Sequence, residues 1–299
     1  LEQKIDYTVL EVGLGGRLDA TNVVNPKVSI ITRIGYDHIE TLGKTLVKIA
    51  QEKGGIIHSG SFVIISPQRP SVLKIIKDKI QATHNQYYNV GKGLKVADIK
   101  ATLSGVQFTV KDNNGIINKY QISLIGKHQI ENACTALAVL RHLKETDIRI
   151  TDNDIKKGLA EAKILARCQV VSKRPLIMVD SAHNPESAQS LYNVIHGIIR
   201  EKVIIVFGSS RGKLVQEMFR ILAPVIKQFI LTQSENPRHI PSSELAELIS
   251  KYSISIPFQT TENVSDAIKQ ALNLSKGKIP IIITGSFYVA GEALITLKS

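Results

Sequence analysis

The sequence predicts an α/β protein of two domains, each built on a mainly parallel sheet. Three observations carry this. Short β-branched runs alternate with stretches of helical spacing along most of the chain, the pattern of parallel strands joined by crossover helices. Between about Tyr87 and Leu124 the rhythm breaks into short alternating segments around the turn "KDNNG". After about Ala166 it restarts, and each strand-like run ends in small and polar residues. The expected division is a first domain over 1–166 and a smaller, Rossmann-like doubly wound domain over 167–299.

The elements follow in order. "YTVLEVGLGG" reads as a buried strand entering a glycine turn, and "KVSIITRIG" as a second strand. Helical spacing from about Leu42 to Ile57 breaks at Gly54-Gly55. "SFVIISP" is a third strand, stopped by Pro67, and "SVLKIIKDKI" is an amphipathic helix. "GVQFTV" and "KYQISL" form an antiparallel hairpin. "NACTALAVLRHL" is an apolar helix, and "TDNDIKKGLAEA" is a helix capped by Thr151 or Asp152. In the second domain "RPLIMVDSAHNP", "KVIIVFGSS", "QFILTQS" and "IPIIITGS" are strands, with helices such as "PESAQSLYNVIHGII" between them. Ligands of such sheets bind at the carboxyl ends of the strands. Asp180, Gly208, Thr232 and Gly285 fall there.

Composition narrows the function. The chain has 299 residues, 43% of them hydrophobic, enough to bury real cores. No apolar run approaches the ~18–20 residues of a membrane span, and no signal peptide is expected from the opening residues. The chain opens on Leu, with a strand-like run within a few residues, so a lost N-terminus is expected. Cys134 and Cys168 have no metal-ligand spacing, which suits a reducing cytosol and ordinary core roles. A net charge of +12 favours anionic partners such as nucleotides and polycarboxylates. The basic residues are scattered, aromatics are 5% and Trp is absent, so a platform for nucleic acid is not expected.

Several stretches suggest chemistry. "GYDHIETLGKT" ends like a phosphate-binding loop, but His38 stands where the first Gly must be, so that motif fails. "GLGG" lacks the third Gly of a dinucleotide fingerprint. Glu11 would end a buried strand, where a carboxylate needs a partner or a metal; backbone capping is the other reading. His38 is a second strand-end polar group that could join it around a cation. Lys53, beside Gly54-Gly55, is either a nucleophilic or modified lysine or a helix C-terminal one. "GKHQIENA" sets His128, Gln129 and Asn132 at a helix start, for ligand contact or capping. "DSAHNPES" sets Asp180 and His183 before a Pro that can open a helix.

In this order the stretches "LEVGLGGRLDATN", "ITRIGYDHIETLGKTLVKIAQEKGGI", "LIGKHQIENACTAL", "DSAHNPES", "VFGSSRGK" and "ITGSFYVAGEA" closely resemble the folylpolyglutamate synthase / dihydrofolate synthase family of the Mur ligase superfamily. The resemblance spans essentially the whole chain. It implies part of a Mur-ligase-like central ATPase domain followed by the glutamate-ligase domain. It further implies an ATP-dependent cytoplasmic ligase, monomeric, that adds L-glutamate to a folate or dihydropteroate through an acyl phosphate. Glu11 and His38 are then Mg²⁺ ligands, two ions being expected, and Lys53 resembles the carbamylated lysine of the superfamily, which lends an anion to the same site. Leu18, Asp19 and Ala20 border the pterin pocket. Asn132, Arg167 and Asp180 contact ATP, with Arg167 at an interdomain hinge. His183 and Ser286 receive glutamate. Lys53, Arg167 and His183 are the implied catalytic set.

The departures are specific. The family's "GTNGKGS"-like phosphate loop lies upstream of Glu11 and is not in this chain, so these residues alone are expected to bind ATP poorly and not to turn over. "EKGG" replaces "EKAG", "LAR" replaces "PGR", and "DSAHNP" replaces "DGAHNP". "SSRGKL" keeps Lys213 without the acids that often flank it. Two alternatives remain at this stage: a sister Mur-type amino-acid ligase, and a non-catalytic paralogue that binds nucleotide or folate.

Overall fold

The structure is a computed structural model that describes residues 4–147, 149–251 and 256–298. It divides into two compact units. One holds the chain up to Ala97, with Val110–Asn118 and Glu131–Ile155; the other holds Asp98–Thr109, Lys119–Ile130 and the chain from Lys156 on.

The first unit centres on a parallel sheet in the order β1-β2-β3. After a short 3-10 turn at Ala20–Val23 come β1 (Val28–Ile31), α1 (Ile39–Leu42), α2 (Leu46–Gly54), β2 (Phe62–Ile65), α3 (Pro70–Ala82), β3 (Tyr87–Asn89) and α4 (Val90–Gly93). The apolar faces of α2 and α3 close over the sheet through Ile49, Ala50, Val72, Ile76 and Ile80. "LGKT" is a helix junction: Gly43 ends α1, and Thr45 caps α2 by accepting from the Lys48 N–H at 3.3 Å.

The first predicted strand is overturned. Tyr7–Val12 forms no strand, Val9 is 89% exposed, and Glu11 is exposed rather than buried at a strand end. An alternating segment becomes a strand only where a neighbour supplies ladder hydrogen bonds, and among the described residues none does. Side chains hold this segment instead. The Tyr7 hydroxyl donates to Asp147 Oδ2 (2.8 Å), and Arg149 donates to Asp6 Oδ1 (2.9 Å).

Next come β4 (Leu94–Thr102), β5 (Gly105–Asp112) and β6 (Ile117–Ile122), a sheet in that order. Connections this short between paired strands permit only antiparallel neighbours, as the hairpin reading expects. β4 has no counterpart in the sequence reading. α5 (His128–Thr146) and α6 (Asp152–Glu161) follow. Thr151 is the cap of α6: its hydroxyl accepts from the Asp154 N–H, and Asp154 accepts from the Thr151 N–H in return.

The second unit is doubly wound. Its strands are β7 (Gln169–Lys173), β8 (Leu176–Val179), β9 (Val203–Phe207), β10 (Ile226–Leu231), β11 (Phe258–Thr260) and β12 (Ile281–Thr284), in the order β11-β10-β9-β12-β8-β7. Only β7 runs antiparallel among these described strands. The helices are α7 (Pro185–Val194), α8 (Val215–Leu222), α9 (Ser242–Lys251), α10 (Val264–Ser275) and α11 (Phe287–Thr296).

Alternate strand residues serve opposite faces. Met178, Ile205, Phe207, Phe229 and Ile282 pack with α7, α8 and α9. Ile177, Val179, Ile204, Val206 and Ile283 pack with α10 and α11. Burial on both faces explains why these strands read as unbroken apolar runs. Phe207, Phe219 and Phe229 form a ring cluster with centroids 4.8–6.3 Å apart, each such pair contributing about 1 kcal/mol beyond area burial.

The carboxyl edge of this sheet depends on backbone contact. Gly285 has φ +111°, and a Cβ there would lie 2.4 Å from the Gly208 carbonyl oxygen. Gly285→Ala is expected to lower unfolding free energy by about 3 kcal/mol, from strain and the forced shift of β9 against β12. Urea denaturation monitored by circular dichroism checks this; a loss below about 1 kcal/mol would mean the edge is plastic.

Candidate active site

Asp180, Gly208, Thr232 and Gly285 follow β8, β9, β10 and β12, so the strand ends picked from the sequence share one edge. The helices after β8 and β9 pack on one face, and the helix after β12, which lies between them, packs on the other. The chain therefore diverges at β12, and a doubly wound sheet opens its binding crevice at such a point.

Asp180 organises this edge. It is 7% exposed. Its Oδ2 accepts from the Cys168 N–H and its Oδ1 from the Ala182 N–H, both at 2.8 Å. The Cys168 thiol adds a contact at 3.5 Å. Burial, then the nearby carboxylate, pushes that thiol well up, so it stays protonated and donates. Burial likewise pushes the Cys134 thiol up to about 11, and both cysteines are unoxidised core residues. The Ser181 N–H donates to the Ala166 carbonyl at 2.9 Å. Residues 166–168 are thereby laced to 180–182, with Ala166 (φ 53°) and Cys168 (φ 46°) left-handed on either side of Arg167. That conformation costs a non-glycine residue about 1 kcal/mol or more, which the Asp180 hydrogen bonds offset.

The lacing aims two side chains. Arg167 Nη1 donates to Ser181 Oγ at 2.6 Å. His183 Nδ1 lies 3.0 Å from the Ser181 carbonyl oxygen. A carbonyl only accepts, so Nδ1 carries a proton and donates. The Phe287 ring meets both: its centroid lies 5.0 Å from the His183 ring and 5.2 Å from the Arg167 guanidinium carbon. Ser286 is buried and caps α11, its hydroxyl accepting from the Val289 N–H at 3.1 Å. Asn184, not Asp180, caps α7, in a reciprocal pair with Ser187, and Pro185 opens the helix.

In the first unit, Asp19 is the hub of the glycine turn. Oδ2 accepts from the N–H groups of Gly13 and Leu14; Oδ1 accepts from the N–H and hydroxyl of Thr21. These donors, Leu14 first, hold its carboxyl down at about 2. Leu18 and Ala20 flank it and are exposed. The turn docks on the end of α2. The Arg17 N–H donates to the Glu52 carbonyl at 2.9 Å, and a Cβ on Gly55 would lie 2.4 Å from Arg17 Cβ. Lys53 is half-buried in the last turn of α2, beside this contact.

His38 stands elsewhere, exposed at the start of α1 with φ 49°. Among the described residues no three His, Cys, Asp or Glu side chains converge as a cation site. Mg²⁺ commonly takes one or two carboxylates and completes its shell with substrate phosphates and water. Exposed Glu11 suits that chemistry; the Lys53 amine would suit it only once converted to an anion, and the imidazole of His38 is a softer donor.

At the start of α5, burial holds His128 below the usual imidazole range, so it is neutral. Gln129 is buried beside it, their side-chain nitrogens 3.1 Å apart. Asn132 is the exposed member of that group. Sequence reasoning did not single out Ser181 or Phe287. A signal existed for Phe287: a large aromatic off the helix's apolar face, directly behind a strand-end Gly-Ser.

Two outcomes follow from the carboxylates. Asp180→Asn leaves one amide oxygen for two opposed N–H donors and aims an NH₂ at the other, which is expected to cost about 2 kcal/mol in urea unfolding. Asp19 titrates below its unfolded value of 3.8, so its contribution is complete above that value and disappears as pH falls toward about 2. Protection of the Gly13 and Leu14 amides, measured against their intrinsic exchange rates at each pH, should be high at pH 5 and be lost below pH 3, and Asp19→Asn should lack it at neutral pH. Slow exchange in that variant would remove Asp19 as the hub.

Comparison with known proteins places the chain. The Mur ligase middle domain matches residues 1–140, and the Mur ligase glutamate ligase domain matches residues 166–287. Folylpolyglutamate synthase of Lacticaseibacillus casei is 29% identical, over 99% of this chain and 68% of that protein. Dihydrofolate synthase/folylpolyglutamate synthase of Bacillus subtilis is 30% identical, again over 99% of this chain and 68% of that protein. The solved Mycobacterium tuberculosis folylpolyglutamate synthase, complexed with ADP and AMPPCP, superposes with a TM-score of 0.87 at 27% identity, covering 96% of this chain and 67% of that one. Escherichia coli FolC in complex with DHPP and ADP gives 0.82 at 26% identity, covering 96% and 65%. Similarity across nearly all of its length, in sequence and in fold, makes this chain a member of the dihydrofolate synthase/folylpolyglutamate synthase family of Mur ligases.

Proposed function

We propose that this chain carries the ATP-using and glutamate-joining machinery of a ligase that couples L-glutamate to the carboxylate of a folate or dihydropteroate. The observation that carries the reading is the convergence of Asp180, Arg167 and His183 on the carboxyl edge of the doubly wound sheet. The nucleotides in the mycobacterial and Escherichia coli relatives support it. The division we adopt is a central ATP-binding domain over 1–166 and a glutamate-ligase domain over 167–299 that also reaches the nucleotide through Arg167 and Asp180, in a cytosolic monomer.

The reaction runs in two steps. A carboxylate oxygen of the acceptor attacks the γ-phosphorus of ATP, the bond to the β-phosphate oxygen breaks, and ADP leaves. The amine of glutamate, having lost a proton, attacks the acyl carbon; the amide forms and phosphate leaves. Positioning and charge neutralisation dominate such transfers. In this reading Arg167 neutralises phosphate charge, and Asp180 and Asn132 contact the nucleotide. His183 offers Nε2 to the glutamate ammonium, and Ser286 offers its hydroxyl proton to a glutamate carboxylate while its lone pair caps α11. Glu11, His38 and a carbamylated Lys53 would hold Mg²⁺, two ions, which when bound neutralise the triphosphate. Asp19 has spent its acceptor capacity on the turn, so it shapes the folate pocket through Leu18 and Ala20.

The test is ATP- and Mg²⁺-dependent incorporation of labelled glutamate by the protein that carries this chain, with dihydropteroate and tetrahydrofolate in parallel. Incorporation is expected with at least one acceptor. Lys53→Arg, which keeps the charge but cannot form a stable carbamate, should lower kcat by roughly 100-fold while nucleotide still binds. Nucleotide binding without incorporation by the parent protein would favour a non-catalytic paralogue. Transfer only to a different acceptor would favour a sister ligase.

A further inference from the structure

We propose that Ser181 and Phe287 act together as positioning residues that hold Arg167 and His183 as one unit, joining the nucleotide end of the site to the glutamate end. The inference rests on the ligase reading above and goes beyond it by assigning a role to two residues that the reading does not use.

The geometry is a closed bracket. Ser181 is fully buried and holds both partners from one side: its hydroxyl accepts from Arg167 Nη1 at 2.6 Å, and its carbonyl accepts from His183 Nδ1 at 3.0 Å. Phe287 meets both with a single ring, at 5.0 Å from the His183 ring and 5.2 Å from the Arg167 guanidinium carbon. Neither Arg167 nor His183 can swing without leaving a contact shared with the other. A guanidinium near an aromatic ring gains from the ring quadrupole, more so where water is partly excluded. Each long side chain is thus fixed at two points, which cuts the rotamer freedom it would otherwise lose on meeting a substrate.

Core packing does not explain Phe287. It is 53% exposed, and α11 packs its sheet through Val289, Ala290, Ala293 and Leu294 instead. At position 181 only a hydroxyl-bearing side chain supplies the contact to Arg167. A glycine there would keep the carbonyl for His183 but give Arg167 no hydroxyl. The bracket predicts that Arg167 and His183 fail together when either support is lost.

The experiment measures kcat and the separate KM values for ATP and glutamate in the protein that carries this chain, for the parent, Phe287→Ala, Phe287→Tyr, Ser181→Gly and the Phe287→Ala/Ser181→Gly pair. Ring-current shifts of the His183 protons and the thermal midpoint are followed for each. Phe287→Ala is expected to lower kcat and to raise the KM values for both glutamate and ATP, each by about tenfold, as misplacement of a positioned group does. It should move the His183 resonances and leave the thermal midpoint within a degree or two, because the ring lies outside the core. Phe287→Tyr, which keeps the ring face, should restore parent values to within about twofold. Ser181→Gly should likewise raise both KM values, the ATP value more because the lost hydroxyl is the one that holds Arg167, and the double variant should fall short of the product of the single effects. Unchanged kinetics in both single variants, or independent multiplicative effects, would overturn the inference while leaving the ligase intact. Loss in Phe287→Ala with a fallen thermal midpoint and no rescue by Tyr would also overturn it. A parent protein that incorporates no glutamate would overturn the ligase reading, and the inference with it.

Discussion

One buried carboxylate sets the geometry of the glutamate-ligase unit. Asp180 sits where β8 stops, nearly out of contact with water. A charge there is tolerable only with donors aimed at it, and the chain supplies them from two directions. Cys168 donates from the approach to β7 and Ala182 from the approach to α7. Satisfying the charge therefore draws the two approaches together. The left-handed backbone at Ala166 and Cys168 is the conformational cost of that closure. Its product is an Arg167 and a His183 that both reach Ser181.

The same logic works in the other unit at lower burial. Asp19 gathers four donors from Gly13, Leu14 and Thr21, and the turn it closes lies against the end of the helix that carries Lys53. In both places an acid that looks like a ligand from its neighbours in sequence serves first as a backbone organiser. Leu18 and Ala20 flank Asp19; Arg167 lies within one of the segments tied by Asp180, and His183 directly follows the other.

Much of this was legible in the sequence, for reasons that differ by element. The strands β8, β9, β10 and β12 are buried on both faces, so they read as continuous apolar runs and their ends locate the crevice. Thr151 and Pro185 announced their helices through capping chemistry, which is local. β4, β7 and β11 were illegible because edge and exposed strands carry no apolar signature; β4 is exposed along most of its length. The segment Tyr7–Val12 misled in the opposite way. Its alternation is that of a strand, but pairing is a property of the neighbour, and no sequence pattern within the segment states whether one exists.

The site divides along the same line. Which residues stand at strand ends follows from periodicity, so Asp180 and Gly285 could be placed in advance. Which side chains touch across those ends does not. The contact of Phe287 with both His183 and Arg167 joins α11, the loop after β8 and the approach to β7, three stretches far apart in the chain. The sheet order puts β12 beside β8, and that adjacency brings the start of α11 over the loop after β8. The crossover that makes the fold doubly wound is thus also what lets one exposed ring meet Arg167 and His183 together.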